Sequence, residues 1–500
     1  MCGLFTILNN SIYSKAYIKQ LENFASPNAE ETVIIKNFLP KVDICYEVLR
    51  DCGIDDANQQ MTINDITLFC NGEIYNSTEL MRKMGGTFNT KFSAEIIIHL
   101  YAKYGIDYVL KVIDGVFAFI LIDCRLTQKC SRMYVARDQF GVRPLYILKP
   151  LPHEKNENMF AFAKNVKTLK VFEYKDSVIE DFTPGTYSVF EFPTYVLASW
   201  ISIKENVRFH NIQCQNDSTC VDDDLHELRI NNLQNRLIGA IEKRCANIDK
   251  PNICLLSGGL NSSIIAALLN EFCRNNGFPA IETYSIGMEG SADVRYAKHV
   301  ADHLETKHTE IILKKEELID ILNESMPSIL HKIEDYDIDT IEHCVGKWIL
   351  CNRIAEDHSN KHVNVFCGDG LNELCGSILT HDNATVFDHD NGCDELLREC
   401  HMNELRNTVK SMDNSNICLQ FPFLDDSFVR TYMSIPLEIR FYHHKMQNKK
   451  LLRMAFSPDL LPDNVLNRGN DGLFCGEARN LIREHCSNVN EESAEHVHCF

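Results

Sequence analysis

The chain is 500 residues long and carries 70 acidic against 50 basic side chains, a formal net charge of -20. That length exceeds what one hydrophobic core organises, so two domains of ordinary size are expected. The acidic balance speaks against a nucleic-acid or anionic-membrane surface, which needs a basic stripe, and directs attention to small-molecule ligands.

Further exclusions come from local patterns. The 21 cysteines contain no CxxC pair, and residues 1–13 lack a basic flank followed by a long apolar stretch. A reduced, cytoplasmic protein is the reading. The longest apolar run, residues 115–122, falls far short of the roughly 20 residues of a membrane span.

From residue 1 to about 187 the apolar segments are short and β-rich, at 66–69, 115–122, 133–136 and 159–163, with Gly and Pro punctuation after several of them. Antiparallel sheets with a few helices, one over 93–104, are expected. The polar run 211–224, ending in three aspartates, reads as a solvated linker. Beyond it helix and strand alternate: helix over 225–245, strand 253–256, helix 263–273, strand 281–286, helix 293–303, strand 308–312, helix 340–358 and strand 363–367. That alternation predicts a parallel sheet with ligands at the carboxyl ends of its strands.

Two places in this pattern carry chemistry. Cys2 follows the initiator methionine, and a small second residue permits that methionine to be removed. The freed α-amino group, with a pKa well below that of lysine, can then take the thiol proton, so that nucleophile and base share one residue. Asn71-Gly72-Glu73-Ile74-Tyr75-Asn76 follows an apolar strand, where an asparagine amide and a glycine N–H can form an oxyanion hole. The second place is Ser257-Gly258-Gly259-Leu260-Asn261-Ser262-Ser263, between an apolar strand and a helical pattern. Its glycines and hydroxyls offer bare N–H groups and a helix N-terminus to a phosphate. Asn261 is the oddity, a neutral amide where the magnesium that accompanies a nucleotide would want a carboxylate.

With residues 114–119, Asp123, Ala136-Arg137-Asp138, Gly141-Val142-Arg143-Pro144-Leu145-Tyr146 and Pro184-Gly185-Thr186-Tyr187, these segments resemble the glutamine-hydrolysing asparagine synthetases over almost the full length. The resemblance implies an α+β N-terminal-nucleophile glutaminase sandwich, a class II glutamine amidotransferase domain over 1–190. A connection and linker over 191–224 would lead to an α/β parallel-sheet ATP-pyrophosphatase-like domain, the asparagine synthetase domain, over 225–500. The implied reaction is ATP-dependent amidation of aspartate with ammonia from glutamine. Cys2 would attack the glutamine amide, Asn71 and Gly72 would hold the oxyanion, and Glu73 would bind substrate. Leu255, Ser257, Gly258, Gly259, Ser262, Ser263, Ile286, Cys367 and Gly368 match nucleotide positions, and Asp369 stands where a glutamate acts in adenylate formation. ATP and Mg²⁺ are the family's cofactors. Glutamine, aspartate and ATP are the implied small-molecule partners, and a homodimer or pairing with an active relative stays open.

The departures are as informative. Val48 replaces an arginine that grips the glutamine α-carboxylate, with Arg50 two places on, and Ser93 replaces the aspartate that binds its α-amino group. In the synthetase half Asn261 and Asn372 replace magnesium-binding aspartates, Asn470 replaces a lysine that stabilises leaving pyrophosphate, and Glu342 replaces an arginine beside the surviving Glu334-Asp335-Tyr336-Asp337. A neutral amide is a poor Mg²⁺ ligand, so no metal ligand is assigned, and the alternative is that Asp369 and Glu373 took the metal over. The C-terminal landmarks Phe421-Pro422-Phe423-Leu424-Asp425, Lys449-Lys450-Leu451-Leu452-Arg453 and Leu461-Pro462 read as packing and helix ends, and His485, His496 and His498 as a polar tail. Two functions remain: the amidation itself, or a catalytically impaired homologue that acts as a ligand-binding or regulatory partner.

Overall fold

The computed structural model describes residues 4–9, 31–48, 60–90, 92–125, 130–151, 159–193, 199–211, 223–245, 250–359, 361–376, 386–440, 449–456, 460–468 and 476–493. The chain divides into two compact units, Met1–Asn211 and Ile212–Phe500. Residues 212–222, most of the expected linker, lie outside the described residues, and a helix starts at Asp223.

The first unit holds two six-stranded sheets. One runs in the order Ser177–Asp181, Tyr146–Pro150, Phe160–Ala163, Leu4–Leu8, Val42–Val48, Glu31–Leu39, with its described pairings antiparallel. The other runs Ile201–Arg208, Thr186–Pro193, Cys130–Arg137, Gly115–Asp123, Ile66–Ile74, Gln60–Ile63, again antiparallel. Every residue of Gly115–Asp123 is buried, because that strand is covered on both faces. Phe117, Phe119 and Leu121 pack with residues of the helices Glu95–Tyr104 and Ile106–Val112. Ala118, Ile120 and Ile122 point the other way, into the layer shared with Leu4, Ile44 and Phe162 of the first sheet. The period of two along a strand divides one apolar run between two cores. A third cluster sets Phe5, Tyr146 and Leu148 against Leu169 and Phe172, beneath the short helix Val166–Lys170.

The second unit is built on a five-stranded parallel sheet in the order Lys307–Leu313, Glu282–Met288, Asn252–Leu255, Val363–Phe366, Ile417–Gln420. From Asn252–Leu255 the chain first builds outward on one side and then returns to build on the other, so the order reverses between Asn252–Leu255 and Val363–Phe366. In open α/β sheets a crevice opens at such a reversal, outside the carboxyl ends of the strands. The loops that leave these two strands, with the first turns of the helices that follow them, carry Ser257 to Ser263 and Gly368 to Glu373.

The alternation expected from sequence is present as Asp223–Arg244, Leu260–Asn275, Ala292–Leu304 and Ile338–Asp357 between the strands. Among the elements that escaped that reading are the helix Lys315–Ile333, which has Pro327 inside it, the helices Val386–Glu399 and Glu404–Ser411, and the last strand, Ile417–Gln420. Among the described residues no helix is long and apolar enough to cross a membrane.

Candidate functional site

In the first unit, Cys2, Arg50 and the side chain of Val48 lie outside the described residues. Asn71 sits on Ile66–Ile74 opposite Ala118 and is 4 % exposed, and its amide nitrogen has no hydrogen-bond partner among the described residues. A buried donor left unpaired costs about 1–3 kcal/mol, a penalty that an arriving oxyanion would remove. At Gly72 a Cβ would stand 2.1 Å from the Val116 carbonyl oxygen, so only glycine fits between these strands. The Ser93 hydroxyl accepts the Ile74 N–H at 3.0 Å and thereby ties the end of this strand to the start of the Glu95–Tyr104 helix. Glu73 is half-buried beside them.

Arg137 and Asp138 are spent on the turn that follows their strand. The buried Asp138 carboxylate accepts N–H groups from Val142 at 2.9 Å and Arg143 at 2.9 Å, with longer ones from Phe140 and Phe117. The Arg137 guanidinium donates to the carbonyls of Arg143, Phe182 and Gly141. Burial pushes the Asp138 carboxyl above its usual range, although the N–H donors and both arginines oppose it.

In the second unit the loop after Asn252–Leu255 is shaped by its own hydroxyls. Ser257 and Ser262 join Oγ to Oγ at 3.0 Å, the Ser257 N–H donates to Ser262 Oγ at 3.2 Å, and Ser263 Oγ donates to the Gly259 carbonyl at 2.8 Å. Gly258 has φ +71°, and a Cβ there would lie 2.4 Å from the Ala297 nitrogen. Leu255 and Ile286 are buried in the adjacent strands, and Arg468 donates to the Ser257 carbonyl at 3.4 Å while its guanidinium lies 4.3 Å from the Tyr296 ring centre. Asp293 pairs with the same guanidinium.

The loop after Val363–Phe366 comes close to the first. A Cβ on Gly368 would stand 2.8 Å from the Ser262 nitrogen, so glycine is what lets the two loops touch. Cys367 beside it is buried, which raises its thiol well above the ordinary range and keeps it protonated. Asn261 Nδ2 donates to Asn372 Oδ1 at 3.2 Å, and Asn372 Nδ2 donates to Glu404 Oε2 at 3.4 Å. The ammonium of Lys449 completes the group, 2.9 Å from Asn261 Oδ1 and 2.7 Å from Asn372 Oδ1.

Next to this group stands a second charged one. Asp369 Oδ2 faces Lys347 Nζ at 3.2 Å, and Thr408 Oγ1 bonds to both. Glu373 is 1 % exposed, and neither of its carboxylate oxygens has a hydrogen-bond partner among the described residues. Burial, with the neighbouring Glu404 and Asp369 charges, raises the Glu373 carboxyl to about 8; burial and Asp369 raise Glu404 as well. Burial lowers the Lys449 ammonium to about 8.

Comparison with known proteins bears on both units. A glutamine amidotransferase domain model matches residues 1–201, and an asparagine synthase model matches 232–414 and 395–496. Asparagine synthetases (glutamine-hydrolysing) of Pongo abelii and Homo sapiens are each 32 % identical over 425 residues, covering 81 % of this chain and 71 % of the relative. The chain belongs to the glutamine-hydrolysing asparagine synthetase family. Among solved structures, the NMN synthetase of Francisella tularensis aligns at 14 % identity and a TM-score of 0.27, covering 53 % of this chain and 94 % of that one, which adds nothing to the assignment.

Set beside the asparagine synthetases, positions 261 and 372 are those for which the resemblance implies magnesium-binding aspartates. The residues present do not fit that ion. Mg²⁺ takes anionic and water oxygens at about 2.0–2.1 Å, whereas here two neutral amides point their oxygens at an ammonium. Among the described residues no three of His, Cys, Asp and Glu converge as a metal-ligand set, Asp369 and Glu373 included.

Lys449 corrects the sequence reading, in which its segment served packing and helix ends. It does flank the helix Lys450–Ala455, but its side chain belongs to the loop cluster. Lys347, Thr408 and Glu404 were also missed. A signal existed for two of them: Glu404 and Thr408 stand four apart on Glu404–Ser411 and therefore share a face. Asn470 lies outside the described residues, as do His496 and His498. Glu342 is buried, and Arg483 and Arg479 answer its charge.

Proposed function

We propose that the chain binds ATP on the loop and first helical turn that carry Ser257, Gly258, Gly259, Ser262 and Ser263, and that the reaction to which its family membership points is amidation of aspartate with ammonia taken from glutamine. We infer further that the synthetase half turns over severely slowly or not at all. The observation that carries this reading is the Lys449 ammonium held between Asn261 and Asn372. Family membership supports the reaction class, and the amide pair accounts for the impairment, because adenylation needs concentrated positive charge around the phosphates.

Asn71, Gly72 and Glu73 would serve a glutaminase centred on Cys2. The Asn71 amide, which has no partner among the described residues, favours retention of that half-reaction. Its substrate grip is weakened, since Ser93 is engaged with the backbone of Ile74 and carries no charge for an α-amino group. Leu255, Ile286, Cys367 and Gly368 would line the nucleotide, and Asp369, paired with Lys347, would stand by the adenylated carboxyl. A second reading, a ligand-binding or regulatory partner of an active relative, rests on the same amide pair and follows if neither half turns over.

Amide-labelled glutamine, supplied with aspartate and Mg-ATP, separates these readings. Label released as ammonia with little or none in asparagine is expected. Label passing into asparagine at a rate comparable to that of an active asparagine synthetase would sink the impairment, and no release at all would leave the binding-partner reading.

A further inference from the structure

We propose that this chain takes the phosphate end of its nucleotide without a divalent cation, with the Lys449 ammonium serving as a tethered cation between Asn261 and Asn372. The inference rests on the nucleotide reading above and adds to it a rule about metal.

Lysine has three N–H donors and no acceptor, so both amides must turn their oxygens toward it. Their nitrogens are then directed onward, Asn261 to Asn372 Oδ1 at 3.2 Å and Asn372 to Glu404 Oε2 at 3.4 Å. Donation therefore runs one way, from the ammonium through two amides to a carboxylate. Aspartates in both places could not build this relay. They have no N–H to pass on, and they would set two more negative charges beside Glu404, the charge that one divalent cation offsets. The asparagine pair removes that charge at its source.

A metal bonded to the two amide oxygens would also stand against the ammonium that already holds them at 2.9 and 2.7 Å. Lys449 is 6 % exposed, and its backbone is fixed at φ 65° at the start of Lys450–Ala455. Asn261 is the second residue of Leu260–Asn275, so an anion at this loop meets the helix N-terminus and the tethered cation together.

Isothermal titration of the full chain with ATP, once in excess magnesium and once in EDTA, tests this. Affinities that agree within about threefold are expected. For Asn261→Asp with Asn372→Asp, the affinity in EDTA should fall on the order of tenfold or more and magnesium should restore it. Wild-type binding that requires magnesium would overturn the inference and leave the nucleotide reading standing. So would a folded double variant, checked by circular dichroism, that keeps its affinity in EDTA. Absence of binding in both conditions would overturn the inference and the nucleotide reading together. The wild-type comparison does not depend on any variant folding.

Discussion

The Lys449 ammonium stands 2.7 Å from the Asn372 side-chain oxygen, across 77 residues of chain. Charge-assisted bonds of this kind add up when both partners are sheltered from water. Lys449→Met keeps the length of the side chain and removes the ammonium donor to both amide oxygens, so that Asn372 Oδ1 keeps the Asn261 N–H while Asn261 Oδ1 loses the Lys449 bond and Glu404 loses a neighbouring cation. A loss of about 1–3 kcal/mol is expected, read as a lower urea midpoint at unchanged slope. An unchanged midpoint would mean that the ammonium is not held there.

Asp369 and Lys347 form a sheltered ion pair, with 13 % and 7 % of their side chains exposed. Removing one member leaves the other charged in a low-dielectric setting, so Asp369→Ala should destabilise by about 3–5 kcal/mol. Arg274 and Glu305 pair on the surface, with 51 % and 78 % exposed, and Glu305→Ala should cost about 0–1 kcal/mol. Chemical denaturation of both variants checks the contrast. A double change at 369 and 347 to apolar residues should recover part of the loss.

Glu373 gives the fold a pH dependence whose sign can be worked out. Its folded-state carboxyl is raised above the unfolded value, so between that value and about 8 the folded state binds more protons than the unfolded one. The stability it contributes is fully present below the unfolded pKa and is lost as the pH rises toward 8. Glu373→Gln should flatten this dependence and raise stability near pH 8.5 by roughly 1–3 kcal/mol, with little change near pH 4.5. Thermal melts of both proteins across that range are the measurement; parallel curves would contradict the expected ionisation.

Asn71 allows stability and chemistry to be separated. Its amide nitrogen is buried with no partner among the described residues, so Asn71→Ala removes a desolvated donor and should leave the melting temperature unchanged or slightly raised. If the amide serves an oxyanion, glutamine hydrolysis should fall by about 10²–10³ in kcat. A fall in stability with hydrolysis intact would assign Asn71 to the framework alone.

How legible these features were in sequence depended on whether their physics was local. Asn252–Leu255 and Val363–Phe366 lie in short, mainly apolar runs that a glycine follows within three residues, and buried parallel strands read as near-continuous hydrophobic runs. Ile417–Gln420 sits at the sheet edge, has a cysteine and a glutamine in four residues, and shows no such run. Lys315–Ile333 was obscured by Pro327. At the site, Asn261 and Asn372 were legible as departures from a motif, and they meet because the sheet order reverses between their strands. Lys449 was not legible. In the run Lys449-Lys450-Leu451-Leu452-Arg453 it looks like any lysine at a helix start, and only the folded chain carries it across 188 residues to Asn261.

Aspartate-dependent pyrophosphate release from Mg-ATP, with ammonia as nitrogen source so that the glutaminase half is bypassed, puts the amide pair and its lysine to the most direct test. Release at or near the background without aspartate is expected. Sustained aspartate-dependent release at the rate of an active asparagine synthetase would show that the Asn261, Asn372 and Lys449 arrangement does not hold adenylation back.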